Sequence, residues 1–188
     1  DQWENSIMNI LNYTEDHLEF RNRLKAYLAK EVTPHAAQWE KDHIIPREAW
    51  KKAGQAGFLC TSVDKKYGGL GGDFIYSAIV CEETTKSCQT GLAMTLHSDV
   101  VVPYIDEYGS EEMKQRFLPG CVSGDIVTAV AMTEPDAGSD LSSLKTTAVE
   151  EGDEIILNGS KTFISNGIHC DAVVLAARDP AVENPYQA

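Results

Sequence analysis

The hydrophobic period of this chain changes once, near Gly124, and a chain with two periods has to build two kinds of layer. Upstream the pattern is helical. Leu18, Leu24, Tyr27 and Leu28 form one stripe on a predicted first helix that Pro34 is expected to end. Pro46 is predicted in the first turn of the next helix, with Trp50 and Ala53 facing inward and Gly54 and Gly57 closing it. Two longer helices are predicted over 72–86 and 89–108. The second is apolar nearly all round (Leu92, Met94, Leu96, Val100, Val101, Val102), the mark of a helix buried in a bundle. Ser110 is placed to cap a further short helix ending near Gly120.

Downstream the residues become β-branched and the period short. IVTAVAM and DAVVLAAR read as strands, and KTTAVEEGDEIILNGSKTFIS reads as strands joined by two turns. Glu151-Gly152-Asp153 supplies one turn. Asn158-Gly159, the preferred pair of a tight hairpin, supplies the other. No internal repeat or low-complexity tract interrupts the order. The expected fold class is α+β: an all-α helical bundle over 1–123, followed by an incomplete β-domain over 124–188.

The totals narrow the function classes. A net charge of −13, without a Lys/Arg cluster, argues against a nucleic-acid partner. No apolar run approaches the roughly 20 residues that span a bilayer. The N-terminal stretch DQWENSIMNILNYTEDH has neither a basic start nor an apolar core, so a cytoplasmic protein is expected. The five cysteines are odd in number and contain no CxxC pair, so they read as small buried hydrophobes rather than disulfides or metal ligands. The glycines of YGGLGGD have no GxGxxG register, no GK[ST] and no preceding strand. They read as a flexible link into the following helix. No serine sits in GxSxG. His97 and His169 have no identifiable acid–base partner and read as satisfied or surface residues.

The chemistry concentrates in AMTEPDAGSD, Ala131 to Asp140, where a strand-like run gives way to a crowded polar turn. Thr133 and Ser139 bring hydroxyls, and Gly138 permits a ligand to approach the backbone. The amides around Gly138-Ser139 form a potential anion-accepting nest. Pro135 stiffens the entry, and Asp140 can cap the segment starting at Leu141. On chemistry alone this is either a ligand loop or a satisfied structural turn.

The segment resembles the signature of the acyl-CoA dehydrogenase family, which Ala131, Met132, Thr133, Glu134, Ala137, Gly138, Ser139, Asp140 and Ser143 fill without exception. Downstream, GDEIILNGSKTFISNGIHCDAVVLAAR is similar to the family's hairpin-and-strand continuation. Upstream, WEKDHIIPREAWKKAGQAGF, YGGLGGD and YGSEEMKQRFLPGCVSG are similar to its helical N-terminal domain, several segments most resembling the long-chain branch.

The resemblance implies FAD as cofactor. It places Val130, Met132 and Thr133 at the flavin, Gly138 and Ser139 in support of it, and Ser139 also at the pantetheine arm of an acyl-CoA substrate. Phe163, Ile164 and Ser165 would lie along the isoalloxazine, with the Ser165 hydroxyl near N5. The family more often has Trp where Phe163 stands and Thr where Ser165 stands. Both changes keep an apolar plate and a hydroxyl donor. Asp136, where a small residue is usual, adds a carboxylate near an anionic cofactor.

The implied reaction is α,β-dehydrogenation of a fatty acyl-CoA, an oxidoreductase step of fatty acid β-oxidation, with electrons passed to an electron-transfer flavoprotein. The family's catalytic base is a glutamate of a C-terminal helical domain that has no counterpart here. No residue of this chain is assigned as catalytic, and Glu134 reads as a structural member of the turn. A homotetramer is implied, in the cytoplasm or, alternatively, the mitochondrial matrix. A non-catalytic helical binding module and an acyl-CoA oxidase are the alternatives.

Overall fold

Asp73, Ser110 and Thr14 each sit at a helix start, and in the computed structural model, which describes residues 12–182, each side chain accepts a backbone N–H of the first turn. The N-terminal stretch read above for a secretion signal lies largely outside the described residues. Helix α1 (Glu15–Tyr27) packs on α4 (Phe74–Lys86); Arg21 bonds Glu83 at 2.8 Å across that contact. Helices α2 (Ala36–Asp42), α3 (Arg47–Gln55), α5 (Val102–Tyr108) and α6 (Glu111–Ser123) complete the helical layer. Its core gathers Phe20, Leu24, Leu28, Trp50, Leu59, Ile79, Met94 and Leu118. Among the described residues, no helix is long and apolar enough to cross a membrane.

Four helical expectations need correction. Leu18 is 48% exposed, and the inward stripe of α1 runs instead through His17, Phe20 and Leu24. Pro34 does not end the first helical stretch. A widened π turn, Leu28–Val32, and a tight turn, Thr33–His35, absorb the missing N–H, and the chain continues into α2. The apolar run 89–108 is likewise not one helix. Ala93 adopts φ 48°, a π turn covers Leu96–Val101, and Pro103 begins α5 where its N–H is not needed. The widened turn sends His97, Ser98 and Val101 inward and leaves Val100 exposed. Helix α6 also runs past Gly120, to Ser123. The glycine-rich loop is tied rather than slack: Gly71 and Gly72 donate to the Val63 and Thr61 carbonyls at 2.8 and 2.9 Å.

The β region holds two short ladders. β1 (Thr128–Ala131) pairs in parallel with β4 (Ala172–Leu175), Thr128 opposite Ala172. β2 (Thr147–Glu151) and β3 (Glu154–Asn158) form a hairpin across the expected Gly152-Asp153 turn. The two are joined where Arg178, beyond β4, pairs with Thr147; its N–H donates to the Thr146 carbonyl at 2.9 Å. Asn158-Gly159 does not make a second hairpin. A side chain at Gly159 would run into Thr146, so this glycine serves a close backbone crossing. The chain then travels beside the free edge of β1, where the Thr162 N–H donates to the Thr133 carbonyl at 2.9 Å and the Asn166 amide to the Thr128 carbonyl at 3.1 Å.

His97 fastens the helical layer to β1. Its Nδ1 accepts the Thr128 N–H at 3.2 Å and lies 2.8 Å from the Thr128 hydroxyl, while Nε2 donates to the Cys121 carbonyl at 3.0 Å. These partners fix the neutral Nε2–H tautomer, and the ring meets Trp50 edge-on. The reading of His97 as a satisfied residue agrees with this. Burial holds its pKa below the ordinary histidine value, with the Cys121 carbonyl opposing. A depressed folded pKa means the unfolded chain takes the proton first. This contribution is complete above about pH 6.5 and is lost as the pH falls below it. His97→Gln is expected to cost about 1–3 kcal/mol in urea unfolding at pH 7.5 and to flatten the stability slope below pH 6.5. An unchanged slope in the variant would remove His97 as its origin.

Candidate functional site

The site forms where the end of β1 meets a bent, turn-forming segment. β1 carries Val130 into Met132 and Thr133, and the 161–166 segment carries Phe163, Ile164 and Ser165 beside it, held at the Thr133–Thr162 and Thr128–Asn166 contacts. Those anchors bring Thr162 to Thr133, just beyond the end of β1, and the Asn166 side chain to Thr128, at its start. Gly138 and Ser139 follow on the turn, both exposed, and the turn is closed by the Glu134 N–H donating to the Ala137 carbonyl at 2.8 Å. A side chain added at Gly138 would meet nothing within 4 Å, so the backbone there is open to a ligand. Asp140 caps the following turn as expected, accepting the Ser142 N–H at 3.0 Å.

Glu134 organises this end of the sheet. Its carboxylate is 5% exposed as a residue and accepts the Lys145 N–H at 2.7 Å, the Thr146 N–H at 2.9 Å and the Lys161 ammonium at 2.8 Å. Lys161 also donates to the Met132 carbonyl at 2.9 Å. Burial alone would raise the Glu134 pKa. The bonds from Lys161, Thr146 and Lys145 outweigh it and bring the pKa down to about 2. A carboxylate so fully engaged is a structural anion, as the sequence reading had it. Lys161 was not singled out from the sequence: a lysine after Asn-Gly reads as solvent-facing until the crossing strand buries it. Asp136, the added carboxylate of the turn, pairs with Lys145 at 2.6 Å and points its charge to the surface.

Phe163 is unlike its neighbours. It is 93% exposed and adopts φ 56°, and Asn166 adopts φ 64°. A β-carbon residue in that region is strained by an amount on the order of 1–2 kcal/mol, which the surrounding bonds must hold. An exposed ring standing off the surface, with the Thr133 and Ser165 hydroxyls free of hydrogen bonds to other described residues, fits a flat aromatic group with hydrogen-bonding edges. Behind Ile164 a cavity of about 540 Å³ opens toward α2 and the Cys88–Leu92 turn.

Two family profiles match the chain: "Acyl-CoA dehydrogenase, N-terminal domain" over residues 14–125 and "Acyl-CoA dehydrogenase, middle domain" over residues 129–187. This chain belongs to the acyl-CoA dehydrogenase family. It is 46% identical over 165 residues to a mitochondrial long-chain specific acyl-CoA dehydrogenase of Sus scrofa, covering 88% of this chain and 38% of that one. An acyl-CoA dehydrogenase of Geobacillus kaustophilus superposes with a TM-score of 0.89 at 51% identity, covering 93% of this chain and 46% of that one. A Mycobacterium smegmatis glutaryl-CoA dehydrogenase solved with FADH2 superposes at 0.84 and 25% identity, covering 94% and 45%. The chain thus spans less than half the length of these relatives.

Proposed function

We propose that this chain forms the flavin- and thioester-facing part of an FAD-dependent acyl-CoA dehydrogenase acting on fatty acyl-CoA. Residues 1–123 serve as its helical domain and 124–188 as the first part of its β-domain. One hydrogen leaves each of the α- and β-carbons of the thioester, and FAD, when bound, supplies the hydride acceptor. Thr133 and Ser165 would hold it by their hydroxyls, Val130, Met132 and Ile164 by apolar contact, and Phe163 by its exposed ring. Gly138 and Ser139 offer open backbone and a hydroxyl to the cofactor and to the pantetheine arm. The three bonds that Glu134 accepts and its depressed pKa argue against it as the proton acceptor. We assign that role to a carboxylate beyond these residues.

The observation that carries the reading is the pairing of the Thr133 and Ser165 segments, with Phe163 presented bare beside them. Electron-transfer flavoprotein as acceptor, a homotetramer as the assembly and the cytoplasm as the compartment, with the mitochondrial matrix as the alternative, complete the proposal. Phe163→Ala tests it. With the ring so exposed, unfolding free energy is expected to change by no more than about 0.5 kcal/mol. FAD affinity should fall about tenfold, the upper end of an aromatic pair's contribution. Both are read on a chimera that completes this chain with the remaining length of the Geobacillus kaustophilus relative, by denaturation and by flavin fluorescence. Unchanged flavin affinity would defeat the assignment of this face.

A further inference from the structure

We propose that Lys161 is a positioning residue for bound FAD. Its ammonium sits on the Met132 carbonyl and polarises the peptide whose N–H belongs to Thr133, making that N–H a strengthened donor to the flavin. The proposal rests on the dehydrogenase reading for the presence of FAD, and on the bonds around Thr133 for the rest.

Two consecutive peptides meet at Thr133, and the fold treats them differently. The Thr133 carbonyl accepts the Thr162 N–H at 2.9 Å, and the N–H of that same peptide, on Glu134, donates to the Ala137 carbonyl at 2.8 Å. That peptide is closed at both ends. The preceding one is closed at one end only. Its carbonyl, on Met132, accepts the Lys161 ammonium at 2.9 Å, while its N–H, on Thr133, has no acceptor among the described residues. Backbone N–H groups in folded chains are nearly always paired, so this open one, on a half-buried residue, points to an acceptor brought by a ligand.

Hydrogen bonds in a chain polarise one another, by about 10–30% per bond, and a bond from an ionised donor is roughly twice as strong as a neutral one. An ammonium at the head of this short chain therefore strengthens the open donor at its tail. Glu134 does not cancel it, because its carboxylate is shared among the Lys145 N–H at 2.7 Å, the Thr146 N–H at 2.9 Å and Lys161 at 2.8 Å. The Lys161 side chain is only 10% exposed, so water screens its field little. Reduction brings negative charge onto the flavin rings, and a strengthened donor at their edge favours that form.

The test reads the two-electron reduction potential of FAD bound to the same chimera, by equilibration with a redox dye. Lys161→Met combined with Glu134→Gln removes the ammonium without leaving either charge alone. It is expected to shift the balance about three- to tenfold toward oxidised FAD, a potential lower by about 15–30 mV. Glu134→Gln alone keeps the ammonium and removes its counter-charge, so its potential should move the opposite way. Lys161→Arg keeps an ionised donor and should stay near the unaltered value. Potentials that move together in the first two variants, or do not move, would overturn the proposal, since a role confined to holding the fold together predicts no opposition of sign. In the unaltered chain, without FAD, NMR should show a scalar coupling between the Lys161 ¹⁵Nζ and the Met132 carbonyl ¹³C. Its absence overturns the proposal even where a variant fails to fold. An unaltered chimera that binds no FAD defeats the dehydrogenase reading itself, whereas bound FAD with unmoved potentials defeats only this role of Lys161.

Discussion

Replacing Lys161 with methionine is expected to lower the unfolding free energy by about 3–5 kcal/mol, because it strands a buried carboxylate. The Lys161 and Glu134 side chains are 10% and 3% exposed, and their contact at 2.8 Å lies between the end of β1 and the crossing segment. Methionine fills much the same volume, so the loss comes from charge rather than from a cavity. The partner change, Glu134→Gln, leaves the ammonium stranded instead and is expected to be nearly as damaging. The double variant should recover part of the loss, since neither charge is then left alone. Simple additivity in urea unfolding would show that the two side chains are not coupled.

Acid separates the same variants. In the unaltered chain the Glu134 pKa of about 2 lies below its ordinary 4.5. Its stabilisation is therefore present above about pH 4.5 and is lost as the pH falls from there toward 2. In Lys161→Met the largest remaining influence is burial, which favours the neutral acid, so protonation relieves the variant. The stability gap between the two proteins is expected to narrow as the pH drops below 4.5. A gap constant from pH 7 to pH 3 would mean that the anion is not what the lysine holds.

The helices and the first hairpin were legible because local signals agree there. Trp50 and Ala53 share a period with their caps, and Glu151-Gly152-Asp153 fits the turn the strands need. What was not legible arises from contacts across the chain. His97 was merely the polar residue in an apolar run; that it would clasp Thr128, 31 residues on, depends on how the π turn rotates it. Asn158-Gly159 carried a hairpin signal, but Gly159 instead passes close against Thr146, and the chain goes on to the end of β1. At the site, the polar turn could be read from its proline, glycine and hydroxyls. The approach of Thr162 to Thr133 was not legible locally, since no local rule sets 161–166 beside β1. Arg47, which bonds Asp171 at 2.7 Å and the His169 carbonyl at 3.0 Å, shows the same limit in the joint between the two layers.

That joint turns on Gly124, and Gly124→Ala is expected to cost about 2–5 kcal/mol. The residue follows α6 at φ 76°, a left-handed conformation that an alanine adopts with a penalty of about 1–2 kcal/mol. Its surroundings add a second penalty. A side-chain carbon placed there would collide with the Trp50 carbonyl and reach 3.0 Å from the Lys51 nitrogen. Both obstacles are backbone atoms of α3, which cannot swing aside as a side chain would. Overpacking of this kind adds about 1–3 kcal/mol. Gly152, in the β2–β3 turn at φ 65°, is the matched control, because nothing lies within 4 Å of its added carbon. Gly152→Ala should therefore show the conformational penalty alone, about 1–2 kcal/mol. Denaturant unfolding of the two variants isolates the collision as their difference. If Gly152→Ala proves as damaging as Gly124→Ala, then the left-handed turn, and not the close seating of α6 on α3, accounts for the glycine at the joint.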